Sequence, residues 1–199
     1  MTSKVKHLMT VDDLHAIPYD ECHRFELIEG KLYVSCPPGL SHQLVLANIQ
    51  FELENYLRQN RIGRIVPGPG VVFSKYNSVI PDIVYVNNER WSSIVTKDHF
   101  NGAPDLIVEI LSSGASCSRD LKLKRKLYCK YGVQEYWIVD GASRAVTTYR
   151  LQDNSLKKAS TLKVNGVLES QLFPGLSLNL HKIFLTGLQD FSGLTESSC

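Results

Sequence analysis

The sequence is short of sulfur chemistry, of long apolar runs and of excess charge. It has five cysteines, Cys22, Cys36, Cys117, Cys129 and Cys199. The number is odd, the spacings are wide and no CxxC pair occurs, which argues against a disulfide framework and a cysteine-based zinc site. Reduced thiols are expected instead. No run of about 18 apolar residues occurs, so no membrane span is expected. The opening MTSKVKHLMTVDDLHAIP has no apolar secretory region, and the expected setting is cytoplasmic. Lys and Arg number 22 against 20 Asp and Glu, a formal net charge of +2. That excludes a strongly basic nucleic-acid coat and an acidic tail as dominant features. Local nucleic-acid binding stays open, because net charge does not say where the charges sit. There is no internal repeat and no low-complexity linker.

With 199 residues, 43% of them apolar, the chain suits one globular domain with a sizeable core. Thr10 is a candidate N-cap for a short helix, with Asp12 and Asp13 in its first turn and Pro18 beyond its end. RFELIEGKLYVSC reads as a β-hairpin turning at Glu29-Gly30. Residues 41–59 have helical period, with Val45, Ile49, Leu53 and Tyr56 on one stripe, His42 at its N-terminal end and Ser41 as candidate N-cap. Strands are expected over 63–74, broken by Gly and Pro, and over 80–86. DLIVEIL at 105–111 has the pattern of a buried central strand. A helix is expected over 118–131, ended by Gly132. Strands follow at 135–140 and 145–151, then a C-terminal β-meander. This order describes a mixed α/β (α+β) domain over residues 10–185, between loosely ordered tails at 1–9 and 186–199.

Three residues stand out. Glu109 is a carboxylate inside an apolar strand, where an unpaired charge is costly; the competing reading is an edge strand with Glu109 facing water. On the helix over 118–131, a wheel of about 100° per residue sets Leu121 at 0°, Leu127 at about 240°, Tyr131 at about 280° and Tyr128 at about 340°. Lys124 falls at about 300°, inside that apolar sector. Lys122, Arg125, Lys126 and Lys130 fall on or near the opposite side, as a solvated face or as contacts to DNA phosphates. A core-facing lysine needs a carboxylate, unless it snorkels to water. Asp82 follows Pro81 at a strand start, where a turn role is the ordinary alternative. Two carboxylates and a lysine are the parts that metal-assisted phosphodiester hydrolysis uses, because Mg²⁺ takes oxygen ligands and a nearby ammonium stabilises phosphoryl charge.

The segments FELIEGKLYVSCPPGLSHQ, IPDIVYV, APDLIVEILS and SRDLKLKRKLYCKYGVQEYWIVD together resemble the Uma-type restriction endonuclease family of the PD-(D/E)XK nuclease superfamily. The resemblance covers about residues 10–180. It implies a restriction-endonuclease-like core, a central mixed sheet flanked by helices, and Mg²⁺- or Mn²⁺-dependent cleavage of DNA. It also implies Asp82 and Glu109 as metal ligands, with the backbone carbonyl of Ile110 as a further contact. The superfamily's usual lysine position is Leu111 here, so that part of the pattern is broken. The resemblance implies a lysine from the next helix in D-x₃-K-x₃-Y spacing, met by Asp120, Lys124 and Tyr128. Glu26 and His42 match recurring positions; Glu26 would complete the acidic cluster, and His42 would orient a carboxylate or contact phosphate. The alternatives are a solvent-facing hairpin residue and a packing residue. Asp105, Asp120 and Tyr128 are expected to be structural. DNA is the implied partner, and a homodimer would suit two-strand cleavage. The rival reading is a nuclease-fold DNA-binding or regulatory module without turnover; a metal-dependent phosphodiesterase acting on RNA or nucleotides is a third.

Overall fold

The computed structural model describes residues 8–18, 20–112 and 117–185, the last including 117–120 by backbone alone. The chain opens with α1 (Val11–His15), where Asp13 N–H donates to Thr10 Oγ1 and Thr10 N–H donates to Asp13 Oδ2, the expected cap in reciprocal form. β1 (Arg24–Ile28) and β2 (Lys31–Ser35) form the antiparallel hairpin. Glu29 and Gly30 both have positive φ, 52° and 70°, as a type I′ turn requires. A Cβ on Gly30 would lie 2.7 Å from Leu8 Cβ, and Met9 N–H donates to Gly30 O. Residues 8 and 9 therefore pack on the hairpin, while 1–7 and 186–199, expected as tails, lie outside the described residues.

α2 (Leu40–Gln59) buries His42, Val45, Ile49, Leu53 and Leu57, the stripe its period predicts with Leu57 in place of Tyr56. Its N-cap is Gly39, not Ser41. Gly39 is extended, so the helix begins at once after the Pro37-Pro38 break and Ser41 lies inside the first turn. There follow β3 (Gly63–Pro67), β4 (Val71–Ser74), β5 (Asn77–Val79), β6 (Ile83–Asn87), α3 (Asn88–Ile94), β7 (Phe100–Asn101) and β8 (Leu106–Ile110). Then come α4 (Cys117–Tyr131), β9 (Glu135–Asp140), β10 (Ala145–Gln152), β11 (Ser155–Lys163), β12 (Val167–Ser170), β13 (Phe173–Asn179) and α5 (Leu180–Ile183). Among the described residues, no helix is long and apolar enough to cross a membrane.

The central sheet runs β11-β10-β9-β8-β6-β3, with β8 and β9 parallel and the other pairs antiparallel. A parallel pair needs a crossover, and α4 supplies it. A second sheet runs β2-β1-β5-β4-β7, and β12 pairs with β13.

Both faces of the central sheet are buried. Ile83, Tyr85, Leu106, Val108, Ile110, Trp137 and Val139 share one core with α2 and the C-terminal elements. Val84, Val86, Ile107 and Tyr136 share the other with Leu127 and Tyr128 of α4, and with Ile28, Val71 and Val79 of the second sheet. Strand alternation puts Glu109 on the Ile107 face, beneath α4. The edge-strand alternative is thereby excluded: β8 lies between β6 and β9.

α4 stops at Gly132, whose φ is +82°. Gly132 N–H donates to Cys129 O and Val133 N–H to Tyr128 O, the paired bonds of a Schellman C-cap.

Candidate active site

β6 and β8 pair antiparallel with Ile83 opposite Val108. One further step along that register brings Asp82 opposite Glu109, on the same face of the sheet. Neither faces open water: Asp82 is 5% exposed and Glu109 7%. Asp82 Oδ2 accepts the Ile110 N–H at 2.7 Å and lies 3.1 Å from His42 Nε2. The backbone amide next to Glu109 thus holds the carboxylate of Asp82, and α2 reaches the same oxygen through His42. Arg24 Nη1 stands 3.8 Å from Asp82 Oδ1.

The second half of the cluster centres on Lys124. Its ammonium donates to Glu26 Oε1 at 2.9 Å and to Glu109 Oε1 at 3.1 Å. Glu26 comes from the hairpin and also accepts the Ile80 N–H at 2.8 Å. Tyr128, one turn beyond Lys124, donates its hydroxyl to Glu109 Oε1 at 2.6 Å. Lys124 therefore faces the core, as the helical wheel requires, and does not snorkel. Glu26 is not a solvent-facing hairpin residue, and His42 is buried against a carboxylate.

Three carboxylates share this small volume with one ammonium at contact distance and one guanidinium beyond it. Burial pushes the Glu109 carboxyl up to about 7, with Asp82 and Glu26 adding to the rise against the opposing pull of Lys124 and Tyr128. Burial alone would lower Lys124, but Glu109 and Glu26 outweigh it, so the ammonium is held above its ordinary value. Burial and the adjacent Glu109 carboxylate likewise raise the Tyr128 hydroxyl, which stays a donor.

The donor set suits a hard divalent cation. The described hydrogen bonds to Glu109 both fall on Oε1, and among the described residues no N–H or O–H donates to Asp82 Oδ1. A bound cation would offset the repulsion from Asp82 and Glu26 that adds to the burial-driven rise of Glu109. Among the described residues no three His, Cys, Asp or Glu side chains are placed to hold one metal ion together. Two carboxylates are compatible with Mg²⁺, which keeps several waters.

The structure brings together Glu26, His42, Asp82, Glu109, Ile110 and Lys124, all named from the sequence. It adds Tyr128 and Arg24. Tyr128, expected to be structural, shares the Lys124 sector one turn away, which is the signal the sequence carries for it. Arg24 gave no local signal, since its partner lies across the chain. The side chain of Asp120 lies outside the described residues. Asp105 and Glu135 are buried acids with other duties. Asp105 accepts from Arg90, Gln134 and the Asn87 N–H. Glu135 accepts from Trp137 Nε1 and Ser170 Oγ and so ties β12 to the central sheet.

Comparison with known proteins identifies the family and the fold. The family model described as "Uma2: Putative restriction endonuclease" matches residues 11–181. Among solved structures the chain is similar to a "putative nuclease belonging to DUF820" from Anabaena variabilis ATCC 29413, at 24% identity and a TM-score of 0.70, over 88% of this chain and 97% of that one. It is also similar to the type IIG restriction endonuclease BpuSI, at 13% identity and a TM-score of 0.43, over 82% of this chain and 19% of that one. The search of curated proteins found no match. The Anabaena likeness bears on the fold alone. Because the family match spans most of the sequence, the chain belongs to the Uma2 "putative restriction endonuclease" family.

Proposed function

We propose that the protein is a Mg²⁺- or Mn²⁺-dependent DNA endonuclease that hydrolyses phosphodiester bonds by attack of an activated water. The observation that carries this reading is the position of Lys124. It comes from a separate helix, yet meets Glu109 at 3.1 Å on the face that Asp82 shares. A lysine beside two strand-borne carboxylates is what metal-assisted phosphoryl transfer needs, and a purely structural lysine would not require the second acid.

Asp82, Glu109 and the Ile110 carbonyl are the proposed metal ligands. A bound divalent ion supplies polarisation of the phosphoryl oxygen and a lowered pKa for its water. The protein's own groups do the rest. The Ile110 amide and His42 hold the Asp82 carboxylate in one orientation. Tyr128 does the same for Glu109. Glu26 anchors the Lys124 ammonium, whose third N–H, with no acceptor among the described residues, would orient the attacking water and stabilise charge on the phosphate. Because the ammonium is pre-positioned, little reorganisation is needed at the moment of reaction. A homodimer is proposed on symmetry grounds, since two strands would then meet two such centres.

The test is nicking of supercoiled plasmid in Mg²⁺ or Mn²⁺ against EDTA. Wild type is expected to cut only with metal, and Asp82→Ala to lose cleavage by at least about 100-fold. Undiminished cutting in EDTA would contradict the proposal. Leu111 at the superfamily's usual lysine position favours a second reading, a nuclease-fold module without turnover. Calorimetric titration with Mn²⁺ separates the two. A site abolished by Glu109→Ala supports the enzyme; no binding by wild type supports the module.

A further inference from the structure

α4 has a second face with work to do. Lys124 points into the site, and its neighbour Arg125 points away toward the β10–β11 hairpin. There a groove of about 300 Å³ is lined by Arg125, Lys126, Cys129, Lys130, Ser155 and Leu156. Its floor is the buried Leu156, and Lys126, Lys130 and Ser155 are exposed around it. Three cations and no acid line it. Among the described residues none of the three has a carboxylate within ion-pair distance. Three cations around one groove, with no acid in its lining, are an anion-binding arrangement.

The groove is also held in register with the site. The Arg125 guanidinium stacks over the Tyr149 ring at 4.9 Å. Tyr149 stacks on Tyr136, with ring centroids 6.0 Å apart. Tyr136 meets the edge of Tyr128 at 5.1 Å, and Tyr128 donates to Glu109. A continuous aromatic stack thus runs from the groove cation to the proposed metal-binding carboxylate. A stacked guanidinium keeps its donor fork oriented and suits phosphate recognition. In B-DNA successive phosphates recur regularly along each strand, so a nuclease needs contacts at fixed distances from the bond it cuts.

We infer that the groove between α4 and the β10–β11 hairpin holds a backbone phosphate of duplex DNA other than the one cut, an assignment that rests on the nuclease reading above. The contact positions the duplex and carries no sequence information, because phosphates are alike at every base pair.

The experiment measures binding of a fluorescent DNA duplex to the full chain by anisotropy, in EDTA and across a salt series. Wild type is compared with the triple variant Arg125→Gln, Lys126→Gln, Lys130→Gln, and thermal melting checks that both are folded. Each lost phosphate contact flattens the slope of log affinity against log salt by about 0.9, so the triple variant, which loses one such contact, is expected to lose about that much from the slope. Arg125→Lys alone keeps the charge and the slope but weakens binding, because lysine does not reproduce the stacked fork. A triple variant with the wild-type slope overturns the groove. Cleavage assayed in parallel separates the two claims. Wild type that cuts DNA while the triple variant keeps its slope removes the groove and leaves the nuclease. Groove-dependent binding by a wild type that never cuts does the reverse.

Discussion

Glu109 concentrates the energetics of the site in one side chain. A buried carboxyl raised to about 7 binds its proton more tightly in the folded chain than in the unfolded one, where the value is about 4.5. Its contribution to stability is fully present below about 4.5 and is lost as pH rises through about 7. In EDTA, wild type is therefore expected to lose on the order of 3 kcal/mol of unfolding free energy over that range from this group. Glu109→Gln, which stays neutral, should lack that decline and be the more stable protein at pH 8. Denaturant titrations across pH check this, and parallel pH profiles for the two proteins would contradict it. At this scale much of the site was legible. Glu109 drew attention because an acid inside DLIVEIL has to be paid for, and Lys124 because it alone among its neighbours fell in the apolar sector. Tyr128 was not legible as a site residue, since a tyrosine on an apolar helix face is ordinary core and its hydroxyl partner is set by tertiary packing. Arg24 and Glu26 depended on a hairpin whose placement over α4 no local pattern encodes.

At the scale of elements, α4 is the part that couples the fold to the site. It closes the β8–β9 crossover, carries Lys124 and Tyr128 inward and presents its basic face outward. Its C-cap fixes the last turn, because Val133 N–H bonds the carbonyl of Tyr128 itself. Gly132→Ala adds a Cβ that meets nothing within 4 Å, so its cost is the left-handed backbone alone. The expected loss is about 1 to 2 kcal/mol in denaturant unfolding, with an unchanged m-value; no loss would show that the cap does not hold the turn. The hairpin turn, α2 and the buried β8 and β9 were legible because turn chemistry, a 3.6 period and continuous apolar runs each have one structural solution. β5 was not. Its three residues Asn77–Val79 are polar at the start and are stabilised as a strand by pairing with β1 and β4. The N-cap of α2 is Gly39 and not Ser41, although a serine near a helix start is the stronger composition signal.

Across the whole molecule, the site is an intersection of layers. β6 and β8 bring two acids side by side, α2 contributes His42 from one side, and α4 and the hairpin contribute Lys124, Tyr128 and Glu26 from the other. No two neighbouring residues in the sequence could make it, which is why a near-neutral chain can hold so acidic a centre. The central claim is that Asp82 and Lys124 act on one reaction. Groups that work as a unit are strongly non-additive when removed together. The most direct measurement is a double-mutant cycle on single-turnover DNA cleavage in Mn²⁺, comparing wild type, Asp82→Ala, Lys124→Ala and the double variant. The account predicts that each single change reduces the rate nearly as far as both together. Cleavage near the wild-type rate in either single variant, or losses that simply multiply, would contradict it.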